Sequence, residues 1–201
     1  MAGTSKVDIV NMALVKLGQE TIADLDENNP RARTMSAIYD IVRQGLLRQF
    51  RWAFSKGRAQ LASLTSTPSW GYTTEFQLPT DCLQLISVEN QEDDPNLNFY
   101  NSYPQSQYLV EGRKILINET GPIKIVYVKD FEEAGDFDSA FVRAFADNLA
   151  FEACELITQS NTKKESLRAD FQTSISLAIR ANAIERPAQM QADTSWTMMR
   201  L

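Results

Sequence analysis

The chain has 201 residues, 43% hydrophobic and 23% charged, with a net charge of -6 and no histidine. That composition suits one globular domain, or one domain with an insertion, and a sequence pI near 4.8 argues against a protein that grips nucleic-acid phosphates. The missing histidines exclude Ser-His-Asp and Cys-His catalysis and His-containing zinc sites.

The first helix starts at Ser5 and Asp8, which form a capping-box pattern. Val7, Val10, Leu14 and Leu17 then follow at helical spacing, and Gly18 suits the left-handed residue past the end. A polar loop leads to Asn29 and Pro30, a cap and a first-turn proline that open a second helix running to about Phe50. Its expected apolar stripe is Met35, Ile38, Val42, Leu46 and Phe50, with Arg31, Arg33, Arg43 and Arg48 on other faces. Trp52 and Phe54 anchor its exit, and residues 46–61 read as a packing joint leading to the Thr/Ser/Pro stretch Ser63 to Ser69.

From Pro68 to Val128 the period shortens. Glu75 to Leu78, Cys82 to Val88, Tyr108 to Val110 with Lys114 to Ile117, and Ile123 to Val128 read as about four strands of one small antiparallel sheet. Gly112 sits in the turn of the hairpin, and Glu89 to Asn98 reads as an exposed acidic loop. A third helix begins near Asp138 or Ser139 with Phe137 as a staple, and a fourth runs from about Thr162 to Ile184. Pro187 ends it, leaving a tail with Met190, Trp196, Met198, Met199 and Leu201. Large apolar groups without helical period suggest an extended arm that ties to a neighbour. The expected class is α+β. Helices in 1–65 and 131–186 form one bundle, 66–130 an inserted β-rich layer and 187–201 a C-terminal arm.

No apolar run approaches the ~18 residues of a membrane helix. Met1 to Lys6 has no apolar h-region, so no signal peptide is expected. Cys82 and Cys154 read as buried, reduced thiols.

The search for chemistry returns little. None of the glycines forms GxGxxG or a phosphate loop. The acidic clusters Glu92-Asp93-Asp94, Glu132-Glu133 and Asp136-x-Asp138 fit no EF-hand spacing and read as solvated loops. No cofactor or metal is expected. Arg48, Arg51, Lys56 and Arg58 interleave with Phe50, Trp52 and Phe54. Such a mixture serves single-strand binders, fills cores, or anchors protein interfaces.

The ordered motifs carry a resemblance. Asn11-x-x-Leu14-x-x-Leu17-Gly18, Tyr39-Asp40 leading to Leu46-Leu47, and Trp52-x-Phe54 with Arg58 and Leu61 come first. Phe76-Gln77-Leu78-Pro79-x-Asp81-Cys82-Leu83, the Gly112 hairpin, Tyr127-Val128 and Phe137-Asp138-x-x-Phe141 follow. Together the set resembles the head-to-tail adaptor, or tail tubular protein A, family of short-tailed bacteriophages. Phe50 and Arg51 stand where related chains often carry small or proline residues.

The resemblance implies a structural virion protein of the tail, assembled in the host cytoplasm and not an enzyme. Generally twelve copies form a ring under the portal protein, join it to the tail nozzle protein and continue the DNA channel, with no specific DNA binding and no membrane. Trp196, Met198, Met199 and Leu201 would face the portal or a neighbouring copy. Glu92, Asp93 and Asp94 would face a neighbour or the nozzle, and Arg48 and Arg51 would serve as contact residues. Two other classes stay open: a wall-degrading hydrolase using Glu or Asp, and a single-strand nucleic-acid-binding module using Trp52 and its arginines.

Overall fold

A computed structural model describes residues 4–88 and 108–185. The fold is α+β, with four helices and two small three-stranded antiparallel sheets. The chain divides into a helical unit, residues up to 56 with 130–185, and a sheet unit whose described residues lie within 57–129.

In the helical unit, α1 spans Lys6–Leu17. The Ser5 hydroxyl accepts the Asp8 N–H at 3.1 Å and the Asp8 carboxylate accepts the Ser5 N–H at 2.9 Å, so two orphan donors are satisfied reciprocally. Gly18 takes φ 73°, and the N–H groups of Gly18 and Gln19 return to Val15 and Leu14. Asn11 explains its place in the motif. Its side chain accepts the Ile22 N–H and donates to the Ile22 carbonyl, both at 2.9 Å, which fixes the loop after α1.

Helix α2 spans Pro30–Gln49 with Asn29 as cap. Apolar periodicity alone places Ile38 and Val42 inward and Arg43 elsewhere. The structure instead half-buries Ile38 and Val42, and seats Tyr39 and Arg43 on the buried line with Ala32, Met35, Leu46 and Leu47. The Tyr39 ring packs 5.0 Å from Phe145, and Arg43 finds acid partners, so a side chain that reads as surface is held inside.

Helix α3 spans Ser139–Thr158 and α4 spans Asn161–Ile184. Asp138 caps α3 by accepting the N–H groups of Ala140 and Phe141 at 2.8 and 3.1 Å. Helix α3 is central: α1, α2 and α4 all pack on it. Phe141, Phe145, Ala146, Leu149, Ala150 and Cys154 are nearly or wholly inaccessible. Helix α4 buries a thin line, Leu167, Ser174, Ile175 and Ala178. Asn182 near its end accepts the Ala53 N–H at 2.7 Å and donates to the Arg51 carbonyl at 3.2 Å.

In the sheet unit the strands are β1 Lys56–Leu61, β2 Thr74–Gln77, β3 Cys82–Val88, β4 Tyr108–Glu111, β5 Lys114–Ile117 and β6 Ile123–Lys129. They form two sheets, ordered β1-β6-β3 and β2-β5-β4, in place of the single four-stranded sheet expected. Strand β1 is the element the sequence hides. Its inward residues are Gly57, Ala59 and Leu61, so its alternation lacks large side chains. Gly57 is required there: a Cβ would lie 2.8 Å from the Tyr127 ring. Phe76, Val88, Ile115, Ile117, Ile123 and Ile125 build the core of this unit. The β4–β5 turn uses Gly112 and Arg113, with φ 51° and 65°, the positive pair that a two-residue hairpin needs. Arg113 is held by its guanidinium, which donates to the Pro79 and Thr80 carbonyls at 2.7 and 3.2 Å.

Candidate interaction surfaces

The aromatic joint proves to be core. Trp52 is 1% exposed, its N–H donates to the Leu46 carbonyl at 3.0 Å, and its ring meets Phe141 edge-on at 5.0 Å. Phe54 joins it and also contacts Phe131, Phe137 and Phe141. A ring so enclosed offers no face to a nucleobase, so the aromatic platform of a single-strand binder is not present at Trp52. Arg48 and Arg51 are both exposed. Glu92, Asp93, Asp94, Trp196, Met198, Met199 and Leu201 lie outside the described residues, as do the acidic loop and the arm.

Several of the described carboxylates are engaged in structural bonds. Asp130 accepts from Arg43 and from Gln44, the latter at 2.8 Å. Asp147, 1% exposed on α3, pairs with Lys16 of α1. Glu75 accepts from Lys114 at 2.7 Å and Ser66 at 2.8 Å. These two bonds hold its carboxyl below the usual carboxylate range, so it serves as a fixed charge rather than a proton donor. Lys164 does the same for Glu155 at 2.7 Å. Among the described residues no three Cys, Asp or Glu side chains gather as a metal site, and no helix is long and apolar enough to cross a membrane. Cys82 and Cys154 are free and buried.

What the structure does present is exposed apolar surface. Trp70 is 86% exposed at the rim of a recess of about 640 Å³, whose walls include Pro68, Tyr72, Leu109 and Leu116, with Glu75 and Lys114 supplying charge. A large rigid ring left in water beside a concave wall is the usual form of an interface anchor. In the helical unit Met12 and Val15 on α1 are 41% and 63% exposed, and Ile41 on α2 is 72% exposed. Asp8, Asn11, Met12, Val15 and Lys16 line a shallow recess of about 450 Å³. Leu156, Leu177 and Ile184 stand out from α3 and α4.

Sequence reasoning misses Trp70, Ile41, Met12 and Val15. For Trp70 a signal exists: a tryptophan amid Pro68, Ser69 and Gly71 has no periodic apolar neighbours and so no strand face to join. For the helical residues the signal is residual. They are the apolar side chains left over once the buried line of each helix is known. Comparison with protein-family models and with curated protein sequences found no match.

Proposed function

We propose that this chain is a ring-forming structural adaptor of a short-tailed phage virion, joining the portal to the tail nozzle and continuing the DNA channel. The observation that carries the reading is Trp70, a nearly fully exposed tryptophan at a recess of mixed polar and apolar lining with a charged pair in its wall. Such a surface is suited to recognising another protein and has no evident role within the unit that bears it. Helical side chains left exposed at Ile41, Val15, Leu177 and Ile184 give the bundle further contact surface. Several carboxylates, Asp138, Asp147, Asp130 and Glu75 among them, serve in a cap or in ion pairs, which gives them structural roles. The motifs that resemble the adaptor family are residues of caps, loop pins and cores, so they fit a shared scaffold. The net charge of -6 would repeat around a ring and keep DNA from adhering to its wall.

The test is binding of the purified chain to the portal and nozzle proteins of the same particle, followed by native mass spectrometry and electron microscopy. Ring-shaped complexes on the portal are expected. Trp70→Ala should weaken attachment to one partner by about 30-fold, the size of an interface anchor near 2 kcal/mol, with unchanged circular dichroism because Trp70 is exposed. Absence of binding to both partners, or infectious particles complete without the chain, overturns the reading.

A further inference from the structure

The outer face of the β1-β6-β3 sheet carries a recess that the adaptor role does not use. Side chains alternate across each strand. Ala59 and Leu61 of β1 pack against the core of the sheet unit, so Arg58 and Gln60 stand on the other face. Ile123, Ile125 and Tyr127 of β6 are core as well, so Lys124 and Val126 share that other face. Strands β1 and β6 are neighbours, and residues 58–60 of one with 124–126 of the other line a recess of about 260 Å³. Its polar side chains are donors: Arg58, Gln60 and Lys124 are exposed. Among the described residues neither cation has an ion pair, and the Gln60 amide has no hydrogen bond. Val126 stands opposite Ser87 of β3 in the antiparallel register, which puts Ser87 on the same face. Ser87 is 4% exposed, and its hydroxyl has no hydrogen-bond partner. A buried donor left unpaired is uncommon and points to an acceptor that the chain itself does not supply.

These features select an anion. Two like charges on adjacent strands repel one another until an opposite charge joins them. The Arg58 guanidinium offers a fork of N–H donors, the Lys124 ammonium a point charge, and the Gln60 amide two further donors. A phosphate monoester carries about -1.5 to -2 at neutral pH and accepts at three oxygens, so it balances both cations where a carboxylate balances one. The recess is smaller than the roughly 300–1,000 Å³ of pockets that enclose drug-sized ligands, which suits one small ion. Lys56, the next outward residue of β1, is already engaged, and Val126, Val128 and Gln84 along the same face are uncharged. The face therefore offers no continuous basic track for a nucleic-acid backbone. We propose that this recess binds one phosphate group, as the free ion or as the terminal phosphate of a small ester. Arg58 and Lys124 hold it, the Gln60 amide donates to it, and the Ser87 hydroxyl is a further donor on that face.

Titration of the full chain with inorganic phosphate in chloride buffer at neutral pH, followed by phosphorus NMR, reads the site. Glycerol phosphate, titrated in parallel, distinguishes a small ester from the free ion, and a single-stranded oligothymidylate tests nucleic acid. Saturable binding of inorganic phosphate or of glycerol phosphate is expected, and the tighter of the two names the source. Arg58→Gln and Lys124→Gln should each weaken it at least about tenfold, the size of a lost charge-assisted bond. Lys163→Gln, an exposed lysine of α4, should leave it unchanged. Far-ultraviolet circular dichroism should match wild type in all three, since each position is exposed. Arg58→Lys keeps the charge and loses the fork, so it should weaken binding by a smaller factor, and it serves if a neutral variant fails to fold. The inference is overturned by a chain with no saturable binding of either small anion, or by Arg58→Gln and Lys124→Gln chains that bind as wild type does. Oligothymidylate bound more tightly than both small anions, through the same two cations, also overturns it and gives the recess to nucleic acid. None of these outcomes bears on portal or nozzle binding, so this site and the adaptor role stand or fall separately.

Discussion

Replacing Arg43 by Met should destabilise the helical unit by about 3 kcal/mol. Arg43 is 1% exposed and donates to Asp130, to the Phe131 carbonyl at 2.7 Å and to Asp40 at 3.2 Å. Asp40 is 62% exposed, so its share is small. Asp130 is 16% exposed, which sets the loss toward the lower end of the roughly 3–5 kcal/mol cost of stranding one member of a buried pair. Gln44 remains as a donor to Asp130, which moderates the loss further. Asp130→Leu strands the guanidinium and should cost a similar amount. The double variant removes both charges and leaves unpaired only the Phe131 carbonyl and the Gln44 amide, so it should cost about 2 kcal/mol rather than the sum of about 6. Urea unfolding followed at 222 nm reads this directly, because all four helices lie in the helical unit. A loss below about 1 kcal/mol for Arg43→Met, or a double variant that costs the full sum, would show that the network does not hold α2 to residues 130–131.

Two further outcomes follow from crowding and from ionisation. Gly57→Ala places a methyl 2.8 Å from Tyr127 Cζ and 3.0 Å from Cε1, so β1 and β6 must separate or the ring must move off Asp81. An overpacking loss of about 1–3 kcal/mol is expected in the sheet unit, and Tyr127→Val in the same chain should relieve part of it. Near-ultraviolet circular dichroism during urea unfolding checks this, and a Gly57→Ala chain as stable as wild type refutes it. Burial pushes the Tyr39 and Tyr127 hydroxyls up to about 12. The fold therefore keeps protons that the unfolded chain sheds above pH 10. Stability is complete below pH 10 and falls as pH rises toward 12, by about 1.4 kcal/mol per pH unit for each tyrosine. Absorbance at 295 nm should show two late-titrating tyrosines. Tyr39→Phe should remove one without loss of stability, because its buried hydroxyl has no hydrogen-bond partner. Titration of every tyrosine together near pH 10 would contradict this.

Helix ends are legible in this chain because their chemistry is local. Ser5, Gly18, Asn29 with Pro30, and Asp138 each satisfy or end a backbone ladder within a few residues, and each stands where its side-chain chemistry requires. The Gly112 hairpin is legible for the same reason. Strand β1 is not, because its inward side is defined by the close approach of Tyr127 to Gly57, a contact between residues far apart in sequence. Arg43 is unreadable for a related cause: its burial depends on Asp130 and Phe131, which no period within α2 reveals. Of the expected contact residues, Arg48 and Arg51 are indeed at the surface, whereas Trp52 belongs to the core. Trp70, with the same chemistry, is left in water.

Net charge and local charge govern different events here. A chain at -6 repels phosphate at long range, most strongly at low salt. At physiological salt that field fades within about 8 Å, so a phosphate within reach of Arg58 and Lys124 feels those two cations rather than the whole-chain total.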